Sequence, residues 1–179
     1  MSLSVTVGGA RATFASPLAN EVAVVLDRAF GGEGEWERDD SCHFGEMAGT
    51  SRWEEFQARA AGELGRDEVP NILAIGGDGR GAYLPAHVGA VSLPLSGGQA
   101  LRCASLPGLR RELAELAGRW GLPLDDQGLR DILRVDLDPD DGFVADDPTV
   151  LTFARLALAA NEAVRRDCPL WLVDRPGED

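Results

Sequence analysis

Residues 148–166 constrain the fold most, because they form a helical segment that is apolar on almost every side. The preceding Asp147-Pro148 pair is typical of a helix start, with a capping side chain followed by proline in the first turn. The apolar positions leave no wide polar face: Val150, Leu151, Phe153, Leu156, Ala157, Leu158, Ala160 and Val164. A helix with this pattern is usually surrounded by protein. We therefore predict that helix 148–166 is central and buried.

The remaining periodicity indicates strands mixed with helices. Two alternating segments, 3–7 and 10–14, flank Gly8-Gly9 and predict a hairpin, because a tight two-residue turn needs positive φ. Residues 31–50 read as irregular. Further strands are predicted at 69–75, 82–84, 88–93 and 170–173, and helices at 17–30, 51–64, 106–120 and 126–135. This order predicts a single α+β domain over residues 1–179, with a mixed or antiparallel sheet and about four to five helices.

The charge of the chain limits its partners. Thirty acidic and 17 basic residues give a formal net charge of −13, which repels phosphate backbones and anionic lipids, so no nucleic acid or membrane partner is expected. Every basic residue is arginine, which excludes Schiff-base chemistry and a phosphate-loop lysine.

The chain has three cysteines, an odd number, and they are widely spaced: Cys42, Cys103 and Cys168. This pattern predicts free thiols in a reduced, cytoplasmic protein. The start MSLSVTVGG lacks the pattern of a secretory signal.

One glycine-rich stretch has the spacing of a dinucleotide-binding fingerprint, Gly77-x-Gly79-x-x-Ala82. That chemistry needs a helix N-terminus beside the glycines to hold the pyrophosphate. Pro85 and Gly89 follow and disfavour such a helix. The stretch therefore predicts a glycine-rich turn, and no cofactor is expected.

Four aspartates partly repeat a calcium-binding loop. Asp136, Asp138 and Asp140 match its first three ligand positions, and Asp147 occupies the twelfth. The sixth position, which requires glycine, is Asp141. A solvated acidic connection that caps the next helix explains the same residues. We predict no tight metal site, with a divalent-ion site on the four aspartates as the alternative.

Cys42, His43 and His87 are the residues that an enzymatic interpretation requires. A cysteine nucleophile needs a histidine base within hydrogen-bond reach, and side chains of adjacent residues rarely meet. Cys42 would therefore need His87, the only other histidine. A small hydrolase or transferase with a Cys/His site is the alternative to a non-catalytic protein whose cysteines have no chemical role.

Trp36 lies in an acidic segment, GEWERDD. Its acidic neighbours are Glu33, Glu35, Glu37, Asp39 and Asp40. A large aromatic side chain in a polar segment either packs back onto the core or anchors a partner, and acidic surfaces speed association with basic proteins. Residues 33–46, which also contain Glu46, are therefore predicted to form a partner-binding surface, with core packing of Trp36 as the other interpretation.

Residues 52–120 combine a helix, RWEEFQARAAGEL, a strand–turn–strand segment, NILAIGGDGRGAYLP, a strand, VGAVSLP, and a helix, SLPGLRRELAELAGRW. This order resembles the SUKH superfamily of small α+β domains. The resemblance implies a role like that of the immunity proteins that neutralise a partner toxin in bacterial competition, and it implies no catalytic residues. With the charge pattern, it favours a non-catalytic bacterial protein that binds a basic partner. A structural or regulatory subunit is a further alternative.

Overall fold

A six-stranded mixed sheet forms the centre of the computed structural model, which describes residues 2–31, 36, 40–47, 50–76, 80–135 and 147–175. The strands are β1 (Ser2–Gly8), β2 (Ser41–Met47), β3 (Arg80–Leu84), β4 (Val91–Pro94), β5 (Ala100–Ser105) and β6 (Leu170–Arg175). Their order across the sheet is β2-β1-β6-β3-β5-β4. Strands β3 and β5 are parallel, and all other neighbours are antiparallel. The predicted α+β class with a mixed sheet is confirmed.

Five long helices and two short ones occur in the described residues. They are α1 (Ala10–Thr13), α2 (Leu18–Phe30), α3 (Thr50–Leu64), α4 (Pro70–Ala74), α5 (Leu106–Trp120), α6 (Asp126–Val135) and α7 (Pro148–Arg166). The five long helices agree with the predicted ones to within one residue at each end. Within the described ranges, no helix combines the length and the apolar character that crossing a membrane requires.

The two faces of the sheet are covered differently. Side chains alternate along each strand, so Leu170 and Leu172 of β6 join the apolar cluster of α3 to α7. Trp171, between them, joins a second cluster that includes residues of α1 and α2. We call these sides the five-helix face and the two-helix face. Trp36 belongs to the two-helix cluster, and the sheet is the middle of three layers.

Helix α7 packs on the five-helix face and is buried, as predicted. Eleven of its residues are buried, compared with six in α5, and Phe153 and Leu156 are completely shielded from solvent. The helix begins at its predicted cap, where the Asp147 carboxylate accepts a hydrogen bond from the Thr149 backbone N–H at 2.9 Å. Local sequence and burial therefore agree along most of the element; near its C-terminal end Val164, one of the apolar positions, is 41% exposed.

The predicted hairpin at Gly8-Gly9 is wrong. Residues 10–13 are helical, and β1 pairs with β2 and β6. Gly8 has φ 147, and a β-carbon there would lie only 2.3 Å from the backbone oxygen of Asp40. The glycine is needed because the chain entering β2 passes very close to β1, and not because the chain reverses there.

The strand predicted at 69–75 is also wrong, because residues 70–74 form α4. A short apolar run does not distinguish a buried strand from a buried helix. The helix is favoured by Glu112, whose carboxylate accepts hydrogen bonds from the backbone N–H groups of Asn71 at 2.9 Å and Ile72 at 2.8 Å. The structure also contains two strands that were not predicted, β2 within the segment expected to be irregular and β5 at residues 100–105.

Candidate functional site

Strand β2 places Cys42 and His43 on opposite faces of the sheet. In the register of the β1–β2 pair, Cys42 lies opposite Val7, whereas His43 lies opposite Thr6. Val7 packs on the five-helix face, and successive residues of a strand point to opposite sides. The two neighbouring side chains therefore cannot act as a nucleophile and its base.

His87 does not supply the missing base. It follows β3, is exposed, and makes no side-chain hydrogen bond or ion pair within the described residues. Cys42 pairs with Val7, Val7 with Leu170, and Leu170 with Tyr83 of β3. This row spans three strand spacings, about 14 Å, before the chain continues to His87. The structure does not bring together the Cys/His site that the enzymatic interpretation requires.

Cys42 instead contacts the C-terminal end of α7. The Arg166 guanidinium donates to the Cys42 sulfur at 3.0 Å, and it also forms an ion pair with Asp40. Arg166 is mostly buried, with its side chain 17% exposed, while Asp40 is 65% exposed.

All three cysteines are free thiols, as predicted. Cys42 is exposed, and Cys103 and Cys168 are buried. Burial raises the pKa of Cys103 to about 12.

His43 pairs with a residue that no sequence motif indicated. Its Nδ1 lies 3.2 Å from the Ser4 hydroxyl, which is itself 3.5 Å from the Thr6 hydroxyl. The contact depends on strand register across 39 residues. Although serine beside histidine is a nucleophile–base combination, Ser4 is only 1% exposed. A substrate has no access to its hydroxyl in this arrangement, so we assign the contact to strand pairing.

Trp36 is packed in the core of the two-helix face. It is 5% exposed and shares an apolar cluster with Phe14, Leu26 and Trp171. An interface anchor must offer its ring to the partner, so the burial agrees with core packing and not with an exposed anchor. Its indole Nε1 has no hydrogen-bond partner among the described residues. The side chain therefore contributes through apolar contact.

The acidic residues around Trp36 are only partly described. Glu33, Glu35, Glu37 and Asp39 lie outside the described residues. Asp40, the last of the series, is not an isolated carboxylate because it is paired with Arg166. The segment is thus attached to the fold at two points, by Trp36 in the core and by Asp40 at the end of α7.

Asp147 has structural partners on both carboxylate oxygens. One oxygen caps α7, and the other is paired with Arg59 of α3, whose guanidinium lies over the Trp120 ring at 4.8 Å. Burial opposes ionisation of this carboxyl, but the hydrogen bonds from Arg59 and Thr149 outweigh it and lower its pKa below 3.8.

The other three aspartates of the calcium-loop alternative, Asp136, Asp138 and Asp140, lie outside the described residues. In the described ranges, no three His, Cys, Asp or Glu residues are grouped for metal binding.

The glycine fingerprint lacks the helix that it needs. Gly77 and Gly79 lie outside the described residues, and Ala82 is in β3. A strand directs its backbone N–H groups sideways into the sheet, so it does not offer the converging donors of a helix start.

A buried polar network beneath the carboxyl ends of β3 and β5 was not predicted. Glu112 is fully buried and accepts hydrogen bonds from Asn71 and Ile72. The Asn71 amide oxygen accepts from the Ser105 backbone, and its backbone carbonyl accepts from the Tyr83 hydroxyl. Burial, and then the Glu112 charge, raise the pKa of Tyr83. The sequence signal was Glu112 itself, an acid between Leu109 and Leu113 on the apolar face of α5.

No protein-family model, curated protein or solved structure matches this chain. The resemblance to the SUKH superfamily therefore stays a prediction. One part of the element order that suggested it differs, because residues 70–74 are helical.

Proposed function

We propose that this protein is a non-catalytic binding protein that engages a basic partner protein through the acidic segment 33–40. The supporting observation is the attachment of this segment to the fold, through the 5%-exposed Trp36 and the Asp40–Arg166 ion pair. Glu33, Glu35, Glu37 and Asp39 each lie within three residues of Trp36 in the sequence. Trp36 would hold the segment in place, and the acids would contact the partner.

Attachment and charge favour binding for separate reasons. A tethered segment loses less conformational entropy on binding than a free tail does. The net charge of −13 attracts a basic protein over long range, which raises the association rate and disfavours acidic competitors. Neither effect requires a pocket or a reactive pair of side chains. Neutralisation of a toxin, which the SUKH resemblance implies, is one form of this role.

The test compares two sets of charge-neutralising substitutions. The partner is first captured from cells of the source organism and identified by mass spectrometry. Binding kinetics are then measured for Glu33→Gln/Glu35→Gln/Glu37→Gln/Asp39→Asn and for a matched control, Asp136→Asn/Asp138→Asn/Asp140→Asn/Asp141→Asn. Both sets remove four charges. We expect the first set to slow association by about tenfold or more at 0.1 M salt, and the control to change it far less.

Two results would reject this proposal. Equal effects of both sets would show that only the net charge matters, and unchanged binding by the first set would place the interface elsewhere. Either result would favour the interpretation of segment 33–40 as solvated surface on a structural or regulatory subunit. If binding follows the proposal, co-expression of the partner with and without this protein tests the neutralising role through cell growth.

A further inference from the structure

A small open cleft lies between α5, α7 and the turn that precedes α6, away from the acidic segment. Its volume is about 50 Å³. The floor is apolar and consists of Leu113, Ala157 and Ala160, each at most 2% exposed. Alanines at two of these positions leave space that a longer side chain would fill. The rim carries Arg110, Ala114, Leu124 and Asn161.

The rim presents a positively charged donor held next to a fixed amide. The Asn161 amide nitrogen donates to the Leu124 carbonyl and to Asp126, each at 3.0 Å. These two bonds fix the amide, and its oxygen lies 3.5 Å from an Arg110 guanidinium nitrogen. That contact is long, and a guanidinium has five N–H donors. Arg110 has no other polar partner among the described residues, so most of its donors face solvent at the mouth of the cleft.

We propose that this cleft binds a small aliphatic carboxylate. An apolar cavity of about 150 Å³ holds the six carbons of benzene, so a cleft one-third as large holds about two carbons of an alkyl group, with the rest of a short chain at its open mouth. The alkyl group would lie on Ala157 and Ala160, and the carboxylate would accept two hydrogen bonds from the Arg110 fork. Because so few atoms are buried, we expect a dissociation constant in about the millimolar range.

Butyrate is a suitable probe, and its uncharged amide, butyramide, is the matched control ligand. In an NMR titration of the full chain, we expect butyrate to shift the Ala157 and Ala160 methyl signals and the Asn161 side-chain amide signal, with saturation. Butyramide should shift them at least about tenfold more weakly, since it lacks the charge that Arg110 recognises. Equal shifts by the two ligands would overturn the proposal.

Two pairs of variants locate the site. Arg110→Gln should weaken butyrate binding by about tenfold, whereas Arg111→Gln, an exposed neighbour that does not line the cleft, removes the same charge and should leave binding within about twofold. Ala114→Leu should block binding by filling the cleft from its exposed rim, whereas Ala58→Leu, on the exposed side of α3, should not. Equal loss in Arg110→Gln and Arg111→Gln would show general attraction to charge and would overturn the assignment. All four positions are exposed, so the variants are expected to fold.

Discussion

Five helices, α3 to α7, pack on one face of the sheet, whereas α1, α2 and the indole of Trp36 pack on the other. The five-helix face has an extensive core that includes Phe153, Leu156 and Leu170. The two-helix face is smaller and contains Phe14 and Trp171, whose rings meet edge to face at 5.2 Å. Its cluster is completed by a tryptophan from an otherwise acidic segment.

This difference explains why a tryptophan lies among acids. Two helices cover less of a six-stranded sheet than five do. On the two-helix face, part of the remaining apolar surface is covered by Trp36, a large side chain from the segment between α2 and β2. Core packing on the two-helix face thus accounts for the tryptophan itself. Substitutions on the two faces should therefore differ in how far their effects spread.

The largest effect is expected from Leu156→Asp on the five-helix face. Leu156 is fully buried in the middle of α7, and the aspartate would be an unpaired charge in the core that every helix of this face shares. We expect no cooperative unfolding transition by circular dichroism. Val164→Asp, at a 41%-exposed position of the same helix, is the control and should fold. A folded, cooperative Leu156→Asp protein would refute the assignment of α7 as the central helix.

Trp36→Ala tests the two-helix face. Truncating a buried tryptophan typically costs about 3–5 kcal/mol of unfolding free energy, and Trp36 is 5% exposed. Urea denaturation should show a loss of this size while a folded state remains. Trp36→Phe should recover most of it, because the Trp36 indole nitrogen has no hydrogen-bond partner in the described part of the chain. A stability unchanged by Trp36→Ala would restore the interpretation of Trp36 as a surface anchor.

The two buried cysteines report on the two faces separately. Cys103 lies in the two-helix cluster and Cys168 in the five-helix cluster, while the exposed Cys42 should react with a thiol reagent at once. If the two-helix face opens locally, a loss of about 3 kcal/mol in Trp36→Ala should speed labelling of Cys103 by about a hundredfold. Labelling of Cys168 should increase less. Equal acceleration at both cysteines would mean that the two faces unfold together.

Glu112→Gln tests the polar network within the five-helix face. The amide would turn an N–H group toward donors that now meet a carboxylate oxygen, which leaves buried groups unsatisfied at a cost of about 1–3 kcal/mol. The matched control is Glu115→Gln, an exposed position on the same helix, for which a change within about 0.5 kcal/mol is expected. If both substitutions have the same small effect, the hydrogen bonds of Glu112 do not stabilise the start of α4.

Elements with local signals were predictable, and those that depend on distant residues were not. Helices α5 and α7 have their own caps and apolar periodicity, so the sequence located them closely. Helix α4 depends on Glu112, 41 residues from Asn71, and the Ser4–His43 contact depends on strand register. The sequence allows two interpretations of the environment of Trp36 for the same reason. Only the tertiary structure shows which face of the sheet needs its side chain.

The smallest effect is expected from Asp147→Asn, which removes one charged link on the five-helix face. Asparagine still caps α7, so the substitution isolates the ion pair with Arg59. Both side chains are about 40% exposed, and solvent screening limits such a pair to about 0.2–1 kcal/mol.

Because the pKa of Asp147 is lowered from 3.8 in the folded state, the ion pair stabilises the fold fully above that pH. The contribution is lost as the pH falls through the folded-state value. The stability difference between the native protein and Asp147→Asn, measured by urea denaturation, should therefore be constant near neutral pH and shrink below pH 3.8. A difference that persists at lower pH would show that Asp147 acts through its capping geometry and not through its charge. The large apolar core would then hold α3 against α7 without help from the ion pair.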